Sequence, residues 1–172
     1  MGLIPPFIGA VVFTVLQFIV FLFVIVATPV AQFDPKSGSG CWTLFGFKNS
    51  CGSPGLDRTG TAAFGCVQRR NNMNGGAAFA IISIFTTLVA LVFGVLMLLR
   101  ISCAVFLPLL FTCLSVITIL ISWACVAGAY SIKMCNVYFY NGVNYGAGFG
   151  LMVTAWCLQV INVVVLVVLS FA

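Results

Sequence analysis

The chain contains no histidine and no glutamate, and its acidic residues are Asp34 and Asp57 alone, 23 positions apart in a stretch of turn residues. Without imidazole it lacks the usual near-neutral proton switch and the commonest metal ligand. Two separated carboxylates cannot assemble a general acid–base pair, a triad or a metal cluster. The composition therefore supplies no His- or carboxylate-based catalytic or metal constellation, a zinc site built from cysteines lacks a close Cys-x-x-Cys pair, and neither enzymatic activity nor a cofactor is expected. Charge of any kind is scarce, at 5% of residues against 63% hydrophobic. A water-soluble globule needs about a quarter of its residues charged to keep its exterior wet. The solvent must be lipid. The net charge of +5 comes from seven basic residues lying beside apolar runs. Anionic headgroups of the bilayer are the expected partner, not nucleic acid.

Four apolar runs are long enough to cross a hydrocarbon core of about 30 Å: about residues 7–28, 77–99, 104–130 and 147–172. The first is longer than a secretory h-region of about 7 to 15 residues, and no basic residue precedes it, so it reads as a retained span. In the second, Ser83, Thr87, Ala90 and Gly94 form a small-residue stripe that lets another helix approach. In the third, Thr112, Ser115, Thr118 and Ser122 lie along one side, and Pro108 falls in the first turns, where it costs little. Arg100-Ile101-Ser102 is so short a connection that the second and third spans must be antiparallel neighbours. The expected architecture is a single domain over 1–172, an all-α membrane protein built as a four-transmembrane-helix bundle.

Two polar connections lie on one face, about 31–76 and 131–146. The first is too long to be a simple link and is the candidate functional element. Within it, Cys41 and Cys51 bracket an aromatic run, Trp42-Thr43-Leu44-Phe45-Gly46-Phe47-Lys48, flanked by turn residues. That pattern reads as a short strand or hairpin closed by a disulfide, with Phe47-Lys48-Asn49 able to turn the chain back. Cys66 and Cys135 are the other two cysteines in polar segments and are assigned a bridge between the two connections. Cys103, Cys113, Cys125 and Cys157 read as small side chains packed between helices. In the second connection, Val137 to Tyr140 reads as a strand and Asn141-Gly142 as a turn. Arg69 and Arg70, just before the second span, read as headgroup anchors. Gly142, Gly146 and Gly150 recur at four-residue spacing, which on a helix makes a groove for bundle packing or for a homo-oligomer.

The segment Cys41, Thr43, Leu44, Phe45, Gly46, Lys48 and Cys51 resembles the signature of the amastins, surface proteins of trypanosomatid parasites. Trp42 and Ser50 depart from the residues more usual there. The resemblance continues through Arg69-Arg70-Asn71-Asn72-Met73-Asn74 and on through Gly75-Gly76-Ala77-Ala78-Phe79-Ala80-Ile81-Ile82-Ser83-Ile84-Phe85, then through Tyr145-Gly146-Ala147-Gly148-Phe149-Gly150 and Ala155-Trp156-Cys157, and so covers most of the chain. Amastins are in turn similar to claudins. What the resemblance implies is a claudin-like bundle with a small extracellular disulfide-linked β element, in a multi-pass protein of the parasite plasma membrane. Its role would be surface interaction, with a host membrane or a host surface protein as partner. Trp42, Phe45 and Phe47 are then the apolar residues that present or pack the element. The family is described as glycoprotein, yet no standard Asn-x-Ser/Thr acceptor occurs, and Asn49-Ser50-Cys51 is a poor variant.

Two signals for orientation disagree. Lys36, Lys48, Arg58, Arg69, Arg70 and Lys133 lie on the face of the large loop against Arg100 on the other, which by the positive-inside count would make that loop cytosolic. Against that, four cysteines lie on the face of the large loop, the disulfide expected between them needs an oxidising compartment, and the resemblance also places this loop outside. The loop is therefore placed outside. Within the spans, Gln17, Gln159 and Asn162 are the most polar side chains, Gln17 and Gln159 at similar depth. They read as interhelical hydrogen bonds of about 0.6 to 2 kcal/mol each. The alternative is a small transporter or channel subunit using these amides, for which an ion flux abolished by Gln159→Leu would be diagnostic.

Overall fold

The computed structural model describes residues 6–99 and 106–170. The connection Arg100-Ile101-Ser102, Cys103 and the expected start of the third span lie outside them. The first helix, α1 (Pro6–Ala27), leads into strands β1 (Phe33–Pro35), β2 (Cys41–Trp42), β3 (Gly46–Lys48) and β4 (Arg58–Thr59) and a one-turn helix, α2 (Gly60–Phe64). There follow α3 (Val67–Leu98), α4 (Phe106–Ser131), a 3-10 turn at Phe139–Asn141, strand β5 (Val143–Tyr145) and α5 (Ala147–Ser170). Helices α1, α3, α4 and α5 are each long and apolar enough to cross a membrane. The protein is a four-span helical membrane protein.

The bundle is packed as lipid requires. Large apolar side chains such as Phe18, Phe85, Ile117 and Val164 face outward, while Ser83, Thr87, Ala90 and Gly94 of α3 and Thr112, Ser115 and Ser122 of α4 are buried. With hydrocarbon outside, apolar burial gains little, and small residues win because they let helix backbones come close. Most of their hydroxyls bond within their own helix, as Thr87 does to the Ser83 carbonyl at 2.7 Å and Ser115 to that of Phe111 at 2.8 Å, while Ser122 of α4 donates across to the Gly76 carbonyl of α3 at 3.0 Å. Helix α3 packs on α4, α4 on α5, α5 on α1 and α1 on α3, closing a ring. Paired contacts run in opposite senses along α3 and α4, from Asn72 with Cys125, through Ser83 with Thr118, to Phe93 with Phe111. These two spans are antiparallel.

On one side of the bundle sits a five-stranded antiparallel sheet in the order β4-β3-β2-β1-β5. The first connection supplies four strands and the second supplies β5, which pairs Phe33 with Tyr145 and Pro35 with Val143. This head departs from the sequence reading in four places. Helix α3 begins at Val67, ten residues before the apolar run, because Arg69, Met73, Gly76 and Ala77 continue its buried stripe outward against the head. The strand of the second connection is Val143–Tyr145, whereas Phe139–Asn141 is a 3-10 turn. The hairpin reverses at Thr43–Phe45, pairing Trp42 with Phe47 and Cys41 with Lys48, so Phe47 and Lys48 lie in β3 and only Asn49 falls in the bend after it. Gly142, Gly146 and Gly150 do not share a helix: Gly142 ends the 3-10 turn, and Gly146 lies where a Cβ would meet the Ala31 carbonyl oxygen at 2.5 Å.

Candidate functional site

The hairpin β2–β3 owes its shape to its turn residues. The Thr43 hydroxyl accepts from the amides of Phe45 at 3.2 Å and Gly46 at 3.3 Å and donates to the Gly46 carbonyl at 3.1 Å, while the Thr43 amide donates to the same carbonyl at 2.8 Å. Gly46 must lack a side chain because a Cβ there would collide with the Arg58 carbonyl of neighbouring β4. The Trp42 indole donates to the Ala63 carbonyl at 2.9 Å and packs on Phe47 at 4.7 Å and on Phe139 at 5.4 Å. Leu44 is fully buried. Phe47 is half-buried between Trp42 and the Arg58 guanidinium, which lies 5.9 Å from its ring. Of the three aromatic residues expected to present or pack the element, Trp42 and Phe47 pack it and Phe45, 38% exposed, is presented.

The basic residues of the head are largely spent on holding it together. Lys48 donates to the Ser53 carbonyl at 2.9 Å, and Lys36 donates to the Tyr140 carbonyl at 2.6 Å, tying the two connections. Asp57 accepts from the Asn49 amide at 2.7 Å and closes the exposed loop between β3 and β4. Cys41 is joined to Cys51, with Cα atoms 5.7 Å apart, and Cys66 to Cys135, at 6.4 Å. The second bridge holds the tight turn Met134–Val137, in which Cys135 and Asn136 both adopt positive φ, 55° and 66°.

Arg69 overturns its reading as a headgroup anchor. It is 6% exposed and donates to the carbonyls of Phe64 at 3.0 Å, Val137 at 3.1 Å and Met134 at 3.4 Å, with its guanidinium 4.6 Å from the Phe139 ring. Three hydrogen bonds from a charged donor, each of about 1.5 to 3 kcal/mol, and a desolvated cation–π contact of about 2 kcal/mol offset the burial of its charge. The same turn is thus gripped by Arg69 at both ends and by the disulfide in its middle. The sequence carried one sign of this: Arg69 falls four residues before Met73 on the stripe that runs on into the membrane. Arg70 is half-buried and bonds Asn71.

The amides within the bundle are all fully buried, but the pairing differs from the expected one. Gln17 of α1 donates to the Thr87 carbonyl of α3 at 3.1 Å and accepts from Asn162 of α5 at 2.9 Å. Gln159 takes no part; neither of its amide atoms has a partner. Cys113 and Cys125 are half-buried as packing residues, whereas Cys157 is exposed on the lipid face. Among the described residues no group of three or more His, Cys, Asp or Glu could hold a metal ion.

A family model described as Amastin surface glycoprotein matches residues 18–166, most of the chain and the whole of the head. No curated protein and no solved structure matches.

Proposed function

The chain belongs to the Amastin surface glycoprotein family, and from that premise we propose that it is a non-catalytic plasma-membrane protein of a trypanosomatid parasite whose head meets a host membrane or surface protein. The observation that carries this reading is the division of labour in the head. The signature residues of the hairpin, Trp42, Thr43, Leu44, Gly46 and Lys48, are turned inward and cross-braced, while Asn49 to Asp57 and Arg58 to Ala62 remain largely exposed. A rigid base under an exposed loop is what a recognition surface needs, since ordering a loop beforehand removes that cost from binding. Leu56, 39% exposed in the outer loop, and Arg58 are its apolar and cationic elements.

The test is binding of the protein in lipid nanodiscs to vesicles made from host-cell plasma membrane. Leu56→Ser with Arg58→Ser should lower binding severalfold while both disulfides still form. If the whole Asn49–Asp57 loop can be exchanged for an unrelated sequence with no loss, the head is a scaffold and the recognition reading is wrong.

A further inference from the structure

We propose that the tip of the hairpin, Thr43–Phe45, is a wedge inserted into the protein's own bilayer, with Phe45 in contact with lipid at the boundary of headgroups and acyl chains. The inference rests on the four spans alone and stands whatever partner the head meets.

Its first support is depth. Leu44, fully buried, lies over Gly76: a Cβ built there would be 3.6 Å from Leu44 Cδ2 and 3.2 Å from Cys125 Cβ. Gly76 is the point at which α3 changes from the polar stretch ending at Asn74 to the apolar run beginning at Ala77. On α4, Cys125 lies five residues short of Tyr130, and a rise of about 1.5 Å per residue puts the tip roughly 8 Å below that tyrosine. Tyr130 stacks on Tyr145 at 4.0 Å and Tyr145 on Phe149 at 4.1 Å, an aromatic cluster of the kind that marks the membrane–water interface. The hairpin tip therefore reaches deeper than this aromatic cluster. Phe45 directly follows buried Leu44 and is itself 38% exposed, so at this depth its free surface would meet lipid.

The second support is the state of the turn's backbone. Irregular backbone survives in lipid only where its polar groups are satisfied internally. Here the Thr43 hydroxyl takes the amides of Phe45 and Gly46, and the Gly46 carbonyl takes the Thr43 amide and hydroxyl. This internal closure is partial, covering the Thr43, Phe45 and Gly46 groups. It makes Thr43 and Gly46 the residues that allow a polar chain reversal to sit at that depth.

The experiment uses the full chain in phosphatidylcholine liposomes, comparing Phe45→Trp, Leu56→Trp and the unaltered protein, so that the emission added by each new tryptophan can be isolated. Emission added at position 45 should be quenched for the greater part by phosphatidylcholine brominated on its acyl chains and little by aqueous iodide, with the reverse at position 56. Iodide quenching at 45 without bromolipid quenching would overturn the proposal. Protection from both would also overturn it, by placing Phe45 against protein, as in contact with a second copy of the chain.

Discussion

Gln17 joins three helices through one side chain, its nitrogen on α3 and its oxygen on α5. Gln159, equally buried, holds neither of its amide atoms to anything. Membrane hydrogen bonds of this kind contribute about 0.6 to 2 kcal/mol each, and a buried amide left without partners costs about 1 to 3 kcal/mol. The two glutamines should therefore respond in opposite ways. Gln17→Leu is expected to lower stability by about 1 to 3 kcal/mol, since it removes two bonds and leaves the Asn162 amide only a long one, at 3.5 Å, to the Phe13 carbonyl. Gln159→Leu should leave stability unchanged or raise it. Thermal unfolding of both variants in detergent checks the pair, and equal losses would show that Gln159 bonds what the structure leaves apart. From the sequence, depth alone could be estimated, and depth made Gln17 and Gln159 partners. The helix rotation that instead aims Asn162 at Gln17 comes from packing, which depth does not encode.

Among the elements, the four spans were legible because lipid imposes a simple demand, about 20 consecutive apolar residues for each crossing. The small-residue stripes of α3 and α4 were legible for the same reason, through their helical spacing. The head was less so. Strands of two or three residues have no periodicity to read, and they persist here because disulfides, Arg69 and a shared sheet hold them. The outward extension of α3 was hidden by Gly75-Gly76, a pair that in isolation would end a helix. Gly76 remains in the helix because α4 leaves no room for more: a Cβ would lie 3.2 Å from Cys125 Cβ and 3.3 Å from the Ser122 carbonyl oxygen, and the Ser122 hydroxyl already donates to the Gly76 carbonyl at 3.0 Å. Replacing Gly76 by Ala gains up to about 1 kcal/mol of helix propensity against a displacement of a few tenths of an ångström, so its effect should be small. Gly76→Val adds an isopropyl group, two methyl groups more than alanine, to a filled site and should cost about 1 to 3 kcal/mol. The comparison is made by detergent unfolding, and an equally small effect of both would mean that α3 and α4 are not in close contact at this level.

At the scale of the molecule, the head and the bundle obey different chemistries, and what joins them is the side of the membrane on which the head lies. All six basic residues of the described chain, Lys36, Lys48, Arg58, Arg69, Arg70 and Lys133, are on the head side. Three of them are committed to backbone carbonyls of the head, but those bonds form only after folding. The charge bias acts earlier, on the chain as it is inserted, so it is not relieved by them. Against it stand two disulfides, Cys41–Cys51 and Cys66–Cys135, which persist in an oxidising compartment and not in the cytosol. A few charges shift orientation statistically, whereas a head this thin in core, with strands this short, would lose its cross-links altogether in a reducing environment. The expected outcome is therefore an external head. An epitope inserted in Ser37-Gly38-Ser39, an exposed connection between β1 and β2 in which Gly38 has φ +98°, should be labelled on intact cells. Insertion there leaves both strands and both disulfides in place, because small residues in an exposed turn tolerate added chain. Labelling that required permeabilisation, in cells shown to carry the protein at the surface, would put the head in the cytosol; recovery of Cys41 and Cys51 as free thiols from the same cells would then follow, and the recognition reading would fail with it.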